Sequence, residues 1–185
     1  MGKPKESLPI AGNTLLGRMV DELMLCTYPV IVLARDAEQD LPPLTIECEL
    51  AYDSEPGAGP MAALRDALRL HSGRSDAVLV VGCDFPFLDG RTVGWLAEQL
   101  GAHDSVVPSA QGRLQPLLGI YRVGLLPRVE QLLSDGVDTI RTVSEGPKAR
   151  VLDEAVLRKL DPEIRFMHNV NDPASYQEAV ARLGT

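Results

Sequence analysis

The stretch Ala77-Val78-Leu79-Val80-Val81 constrains this chain more than any other. Its residues are all apolar and do not alternate with polar ones, so a strand made from them must be covered on both faces. That requires a sheet with a layer on each side, the arrangement of helices packed over a central sheet. The run stops at Gly82-Cys83-Asp84-Phe85-Pro86-Phe87-Leu88, which has the composition of a turn.

The rest of the chain alternates helical and strand signals. Asn13-Thr14 can cap a helix from Leu15 to Cys26, with Leu15, Leu16, Met19, Val20, Leu23 and Met24 on one face. Pro29 to Ala34 is a short β-branched run, and Thr45 to Tyr52 a weaker one. Pro60 opens a helix from Met61 to Leu70. Further helices are predicted at Thr92–Leu100, Leu125–Ser134, Asp138–Ser144 and from Asp172-Pro173 to Arg182. Further strands are predicted at Ser105–Pro108, Leu117–Arg122, Arg150–Leu152 and Arg165–His168. No repeat or linker divides the 185 residues, so a single domain over 1–185 is expected. The alternation predicts an α/β, Rossmann-like three-layer fold with a mostly parallel central sheet. The opening is unusual for such a fold, because Gly, Lys and Pro lead straight to a helix without a first strand.

In open α/β sheets, ligands bind beyond the carboxyl ends of the strands. That selects Asp53 to Pro60, Asp84 to Leu88, and Asn169 to Asp172. Asp84 directly follows the central strand, where a hard-oxygen ligand for Mg²⁺ would sit, although an Asp also serves to open a turn before Pro86. Asp53 ends a strand before a Gly-rich loop, where a second carboxylate could help hold a metal or order a ligand; read alone it belongs rather to a solvated acidic face with Glu47, Glu49 and Glu55. Gly57-Ala58-Gly59-Pro60 offers free N–H groups at a helix start, which suits a phosphate. Lys3 and Lys5 flank Pro4 and read alone as solvated cations. Asn169 and Asn171 suit ligand contact or a helix cap. The three histidines, His71, His103 and His168, have no metal-ligand spacing, and no nucleophile-elbow, zincin or P-loop motif occurs.

Composition narrows the partners. The 26 acidic residues outnumber the 18 basic ones, giving a net charge of −8. Such a surface repels nucleic-acid backbones, while a local lysine and a metal ion can still hold one nucleotide. Cys26, Cys48 and Cys83 are odd in number and lack Cys-x-x-Cys spacing, against a disulfide framework or structural zinc. Their apolar neighbours predict buried, reduced thiols in a cytoplasmic protein. No apolar run reaches the length of a membrane span.

These parts together resemble the molybdenum cofactor guanylyltransferases, the MobA-like nucleotidyltransferases. Met1-Gly2-Lys3-Pro4-Lys5, with Leu8, Gly12 and Leu15-Leu16-Gly17-Arg18, resembles the family's opening "RMG-x-x-K-x-x-L … G-x-x-L-L". Asp53 followed by Gly59-Pro60-Met61-Ala62-Ala63-Leu64 resembles "D … GPLAGL". Cys83-Asp84-Phe85-Pro86-Phe87-Leu88 is close to "CDMPFL", the most specific match. Gln115-Pro116-Leu117 with Gly119-Ile120-Tyr121 resembles "HPL-x-x-x-Y", and Asn169 to Pro173 is similar to "NINTPED". The matches run in family order from residue 1 to about 178.

The resemblance implies transfer of GMP from GTP to molybdopterin cofactor, with release of pyrophosphate and Mg²⁺ as cofactor. It implies that Asp84 holds Mg²⁺, that Lys5 contacts the nucleotide phosphates, and that Asp53 and Gly59 help bind the nucleotide. Asn169 and Asn171 would line the molybdopterin side, and molybdopterin-handling proteins would be partners. Three departures stand out. The family's Gly-rich loop, "LAGG-x-S-x-R", falls ahead of Met1, Leu33 stands where the family often has Asn, and Gln115 replaces the His of "HPL". An upstream start that supplies the loop is therefore expected, whereas an intact mass near 20.0 kDa for the native protein would mean a shortened one. Two other readings remain: a cytidylyltransferase or sugar-phosphate nucleotidyltransferase of the same fold, and a non-catalytic binding protein without its phosphate loop.

Overall fold

The computed structural model describes residues 4–44 and 47–184. The chain begins with a 3₁₀ turn at Lys5–Ser7 and a small hairpin, β1 (Pro9–Ile10) with β2 (Asn13–Thr14). The hairpin turn uses Ala11 and Gly12, both at positive φ (47° and 80°), as a tight two-residue turn requires. These short elements, rather than a direct entry into helix, precede α1 (Leu15–Met24), whose N-cap Thr14 accepts from the Gly17 amide at 3.0 Å. Then come β3 (Ile31–Ala34), β4 (Glu49–Tyr52) and α2 (Pro60–His71). The predicted strand from Thr45 starts late; Thr45 and Ile46 themselves lie outside the described residues.

The apolar run forms β5 (Ala77–Val81) and leads to α3 (Gly90–Leu100), β6 (Ser105–Ala110), β7 (Arg113–Leu114) and β8 (Leu118–Arg122). The remaining elements are α4 (Leu126–Ser134), α5 (Arg141–Ser144), β9 (Ala149–Leu152), α6 (Glu154–Leu157) and α7 (Pro173–Leu183). One expected strand is absent: Arg165–Met167 is a 3₁₀ turn, entered through Ile164 in the left-handed region. The Asp161 carboxylate accepts from the Arg165 amide at 2.8 Å, which closes the backbone into a turn instead of leaving it extended.

β5, β8 and β6 form the centre of the main sheet. β8 runs antiparallel to both neighbours, and β9 adds parallel to β6. β3 and β4 form a separate parallel pair in register Ile31↔Glu49 to Ala34↔Tyr52. Both faces of β5 are covered. Ala77, Leu79 and Val81 pack with Met19, Leu23, Val93 and Leu96 of α1 and α3. Val78 and Val80 pack on the other side with Met61, Leu64 and Leu68 of α2 and Val129 of α4. The faces are as the apolar run requires, but β5 pairs on one edge only. A cavity of about 440 Å³ separates its other edge from β3.

Cys48 and Cys83 are partly buried, whereas Cys26 is exposed, contrary to the expectation of three buried thiols. It falls just past the end of α1, beyond the packed face. Partial desolvation, with Glu22 and Asp89 nearby, holds its thiol above the usual cysteine value.

Candidate functional site

Asp84 leaves the carboxyl end of β5 on a tightly held segment. Phe85 and Leu88 are both 1% exposed and anchor it in the core. Arg18 Nε donates to the Pro86 carbonyl at 2.8 Å, and the Val170 amide donates to the Asp84 carbonyl at 2.8 Å. Gly82 fixes where the carboxylate lies, because a Cβ there would sit 2.6 Å from Asp84 Oδ1.

Two remote segments meet this carboxylate. Lys5 Nζ lies 3.6 Å from Asp84 Oδ2 and donates to Asn171 Oδ1 at 2.5 Å. The Lys5 and Asp84 side chains are 37% and 21% exposed, so the pair faces solvent on one side. An exposed pair of this kind is worth only ~0–1 kcal/mol of stability. The helix cap after it is made by other residues: Asp172 Oδ1 accepts from the Ser175 amide at 2.8 Å and completes a capping box on α7. Asn171 is thus released to Lys5. Asn169 Oδ1 is buried and has no hydrogen-bond partner among the described residues.

Asn169 and Asn171 line a second cavity of about 390 Å³, together with Arg113, Gln115, Arg165 and His168. Arg165 is paired with Asp161 at 3.2 Å, but Arg113 has no ion pair among the described residues. Sequence reasoning did not single out Arg113; a lone exposed arginine in a two-residue strand carries no local signal.

Asp53 and Gly59 stand apart, with no hydrogen bond or ion pair joining either to the Lys5–Asp84–Asn171 cluster. The Asp53 amide donates to the Ala34 carbonyl at 2.8 Å, and Asp53 lines the mouth of the first cavity with Glu6 and Gln39. Desolvation and the nearby Asp66 carboxylate hold its carboxyl above the ordinary aspartate range. Gly59 precedes α2 with φ +88°, and a Cβ there would meet nothing within 4 Å, so this helix start is open. Lys3 lies outside the described residues.

The loop carrying Asp53 and Gly59 is pinned by two buried charges on α2 that the sequence reading passed over. Arg65 Nε donates to Asp66 Oδ1 at 2.9 Å, and Arg65 also pairs with Glu55 at 2.7 Å. The Asp66 carboxylate accepts from the Ser54 amide at 2.8 Å. Burial pushes the Asp66 carboxyl up, but its bonds from Arg65 and Ser54 outweigh that and hold it below the ordinary value. A signal was available, since Arg65 falls on the same helical face as Met61 and Leu68.

Among the described residues, no three His, Cys, Asp or Glu side chains cluster into a ready-made metal cage. Asp84 is a single carboxylate with one face open. That donor set fits Mg²⁺, which takes one or two protein carboxylates and completes its shell with water and substrate phosphates.

Over 178 residues, covering 96% of this chain and 87% of the relative, it is 28% identical to a protein of Carboxydothermus hydrogenoformans named "Probable molybdenum cofactor guanylyltransferase". A relative of the same name from Pelotomaculum thermopropionicum is 29% identical over 183 residues, covering 97% and 85% of the two chains. The fold is shared with molybdopterin-guanine dinucleotide biosynthesis protein A of Archaeoglobus fulgidus, with a TM-score of 0.79 at 22% identity over 99% of this chain and 92% of that one. It is shared also with 2-C-methyl-D-erythritol 4-phosphate cytidylyltransferase of Thermus thermophilus, with a TM-score of 0.69 at 17% identity over 100% and 95%. Residues 1–151 match the MobA-like NTP transferase domain, and the protein therefore belongs to that family of nucleotidyltransferases.

Proposed function

We propose that this protein transfers GMP from GTP to molybdopterin cofactor and releases pyrophosphate. The observation that carries the reading is the meeting of Lys5 and Asn171, from the two ends of the chain, beside Asp84, with Asn171 also lining the second cavity. The names of its relatives support the guanylyl assignment.

The reaction is an in-line displacement. A phosphate oxygen of the acceptor forms a bond to the α-phosphorus of GTP, and the bond from that phosphorus to the β-phosphate oxygen breaks. Both reactants are anions, so the site must offset charge without forming a covalent bond to the enzyme. Asp84 would hold Mg²⁺, which when bound neutralises phosphate charge. Lys5, oriented by Asp84 and Asn171, places an ammonium where a phosphate oxygen would arrive. The open α2 start at Gly59 offers backbone N–H donors and the positive end of the helix dipole. Asn169 and Asn171 line the acceptor's cavity, where Arg113 supplies an uncommitted cation and the unpartnered Asn169 Oδ1 accepts a hydrogen bond.

The test is pyrophosphate release with Mg²⁺ and molybdopterin cofactor, run with GTP and with CTP. It uses the 185-residue chain and the same chain extended ahead of Met1 by a Leu-Ala-Gly-Gly loop segment. Release with GTP by either supports the reading. Release with CTP alone assigns cytidylyl transfer, and absence of both release and calorimetric GTP binding in either chain leaves a binding protein. Gly82→Ala provides a finer check. The added methyl displaces the Asp84 carboxylate and meets the core only at an ordinary van der Waals distance of 3.9 Å from Phe85 Cε2, so turnover and apparent Mg²⁺ affinity are expected to fall about tenfold or more while the melting temperature stays nearly constant. Unchanged Mg²⁺ dependence would remove Gly82 as a positioning residue.

A further inference from the structure

The 3₁₀ turn Lys5–Ser7 links the carboxyl ends of two strands through neighbouring side chains. Lys5 Nζ lies 3.6 Å from Asp84, just beyond β5. Glu6 reaches the loop after β3 instead, where its Oε1 accepts from Gln39 Nε2 at 2.7 Å. Glu6, Gln39 and Asp53 line one mouth of the first cavity. The site described above uses Lys5 and Asp53 and leaves Glu6 and Gln39 without a task.

The orientation of the Gln39 amide is fixed. Its Oε1 accepts from the Arg35 backbone N–H, which can only donate, at 2.8 Å, so Nε2 is the atom beside Glu6. Nε2 carries two N–H groups, and Glu6 takes one. Among the described residues, no acceptor meets the second and no donor meets Glu6 Oε2. Arg35, the nearby cation, is paired with Asp36 at 2.8 Å. The mouth thus presents, in order, a donor (Gln39 Nε2), an acceptor (Glu6 Oε1) and a second acceptor (Glu6 Oε2).

The complement of that order is acceptor, donor, donor. Guanine carries it along one edge, as O6, N1–H and N2–H. Adenine, cytosine and uracil each set a donor against a donor or an acceptor against an acceptor in either direction. The position also suits a base. Ligands of an open α/β sheet lie across the carboxyl ends of its strands. A nucleotide with its phosphates at Lys5 and Asp84, beyond β5, carries its base across toward β3, where Glu6 and Gln39 meet.

We propose that Glu6 and Gln39 determine base specificity, reading guanine through O6, N1–H and N2–H. The inference rests on the guanylyl reading above and adds to it the residues that select the base.

The test is calorimetric binding, with Mg²⁺, of GTP, ATP, CTP, inosine triphosphate and xanthosine triphosphate to the 185-residue chain and to its variants. Inosine lacks the 2-amino group of guanosine, and xanthosine carries an oxygen in its place. The parent is expected to favour GTP over both by about tenfold or more. In Glu6→Gln the new amide accepts from Gln39 through its oxygen and offers N–H where Oε2 stood. That order, donor, acceptor, donor, complements xanthine, so the preference is expected to invert to xanthosine triphosphate over GTP by about tenfold. Such a gain cannot come from unfolding. Gln39→Ala removes the partner of O6, so the preference for GTP over ATP is expected to shrink about tenfold, whereas loosening of the loop alone would weaken both equally. A GTP preference that Glu6→Gln leaves unchanged overturns this proposal alone and makes the pair a mere tether of the turn. A parent that favours CTP overturns it together with the guanylyl reading. A parent that binds no nucleotide also overturns it, and the pyrophosphate assay then judges the guanylyl reading separately.

Discussion

Asp84→Ala is expected to lower Mg²⁺-dependent pyrophosphate release about 1,000-fold, equivalent to ~4 kcal/mol of transition-state stabilisation. Among the described residues, Asp84 is the one carboxylate that pairs with Lys5, so no other paired carboxylate there replaces it as a hard-oxygen donor. The substitution leaves the fold in place for a specific reason. What ties residue 84 to the C-terminal segment is its main-chain carbonyl, which accepts from the Val170 amide at 2.8 Å. The core is filled by Phe85 and Leu88, which are unaltered. Lys5 loses a half-exposed ion pair and keeps its bond to Asn171. Turnover measured beside thermal unfolding checks this directly, and turnover retained at a tenth of the parent rate would remove Asp84 from the metal role.

Asp66→Ala is expected to act in the opposite sense, on stability more than on chemistry. It leaves the Arg65 guanidinium, whose side chain is 7% exposed, without its buried partner. Removing one member of a buried pair costs ~3–5 kcal/mol. The remaining contact to Glu55, itself 62% exposed, places this case near the lower figure. A melting-temperature drop of roughly 6–12 °C follows for a chain of this size. The Ser54 amide also loses its acceptor, so the loop carrying Asp53 and Gly59 loosens. A loss under 1 kcal/mol in denaturant titration would show that the pair is not stabilising.

The same residue gives a pH signature. The Asp66 carboxyl is held below its unfolded value, so its contribution is present above that value, near pH 4, and is lost as pH falls through the folded one. Asp53 is raised, so its contribution is present in acid and is lost as pH rises through its folded value. Asp66→Asn is therefore expected to flatten the acid limb of the stability curve. It also removes the repulsion that helps hold Asp53 high.

Much of the fold was legible because its signals are local. The α1 face, the Thr14 cap and the apolar β5 run are set by spacing within a dozen residues, and each appears where expected. Arg165–Met167 escaped because a side chain eleven residues before the final helix cap, Asp161, folds the backbone into a turn that apolar content does not reveal. Asn169 and Asn171 were ambiguous between cap and contact until Asp172 proved to make the cap. Arg65 and Asp66 were readable as charges on a buried face, but their partners in the Ser54–Glu55 loop were not.

The sequence by itself determined that β5 must be covered on both faces and that Asp84 stands at its carboxyl end. Hydrophobic periodicity encodes the faces of an element, since burial of a face is decided residue by residue. It does not encode edges, whose backbone groups are the same whatever the side chains. Only the tertiary structure could decide that β5 and β3 face each other across an open slot. It alone brought Lys5 and Asn171, 166 positions apart, to one hydrogen bond beside Asp84, because their meeting depends on how the chain's two ends pack against one strand.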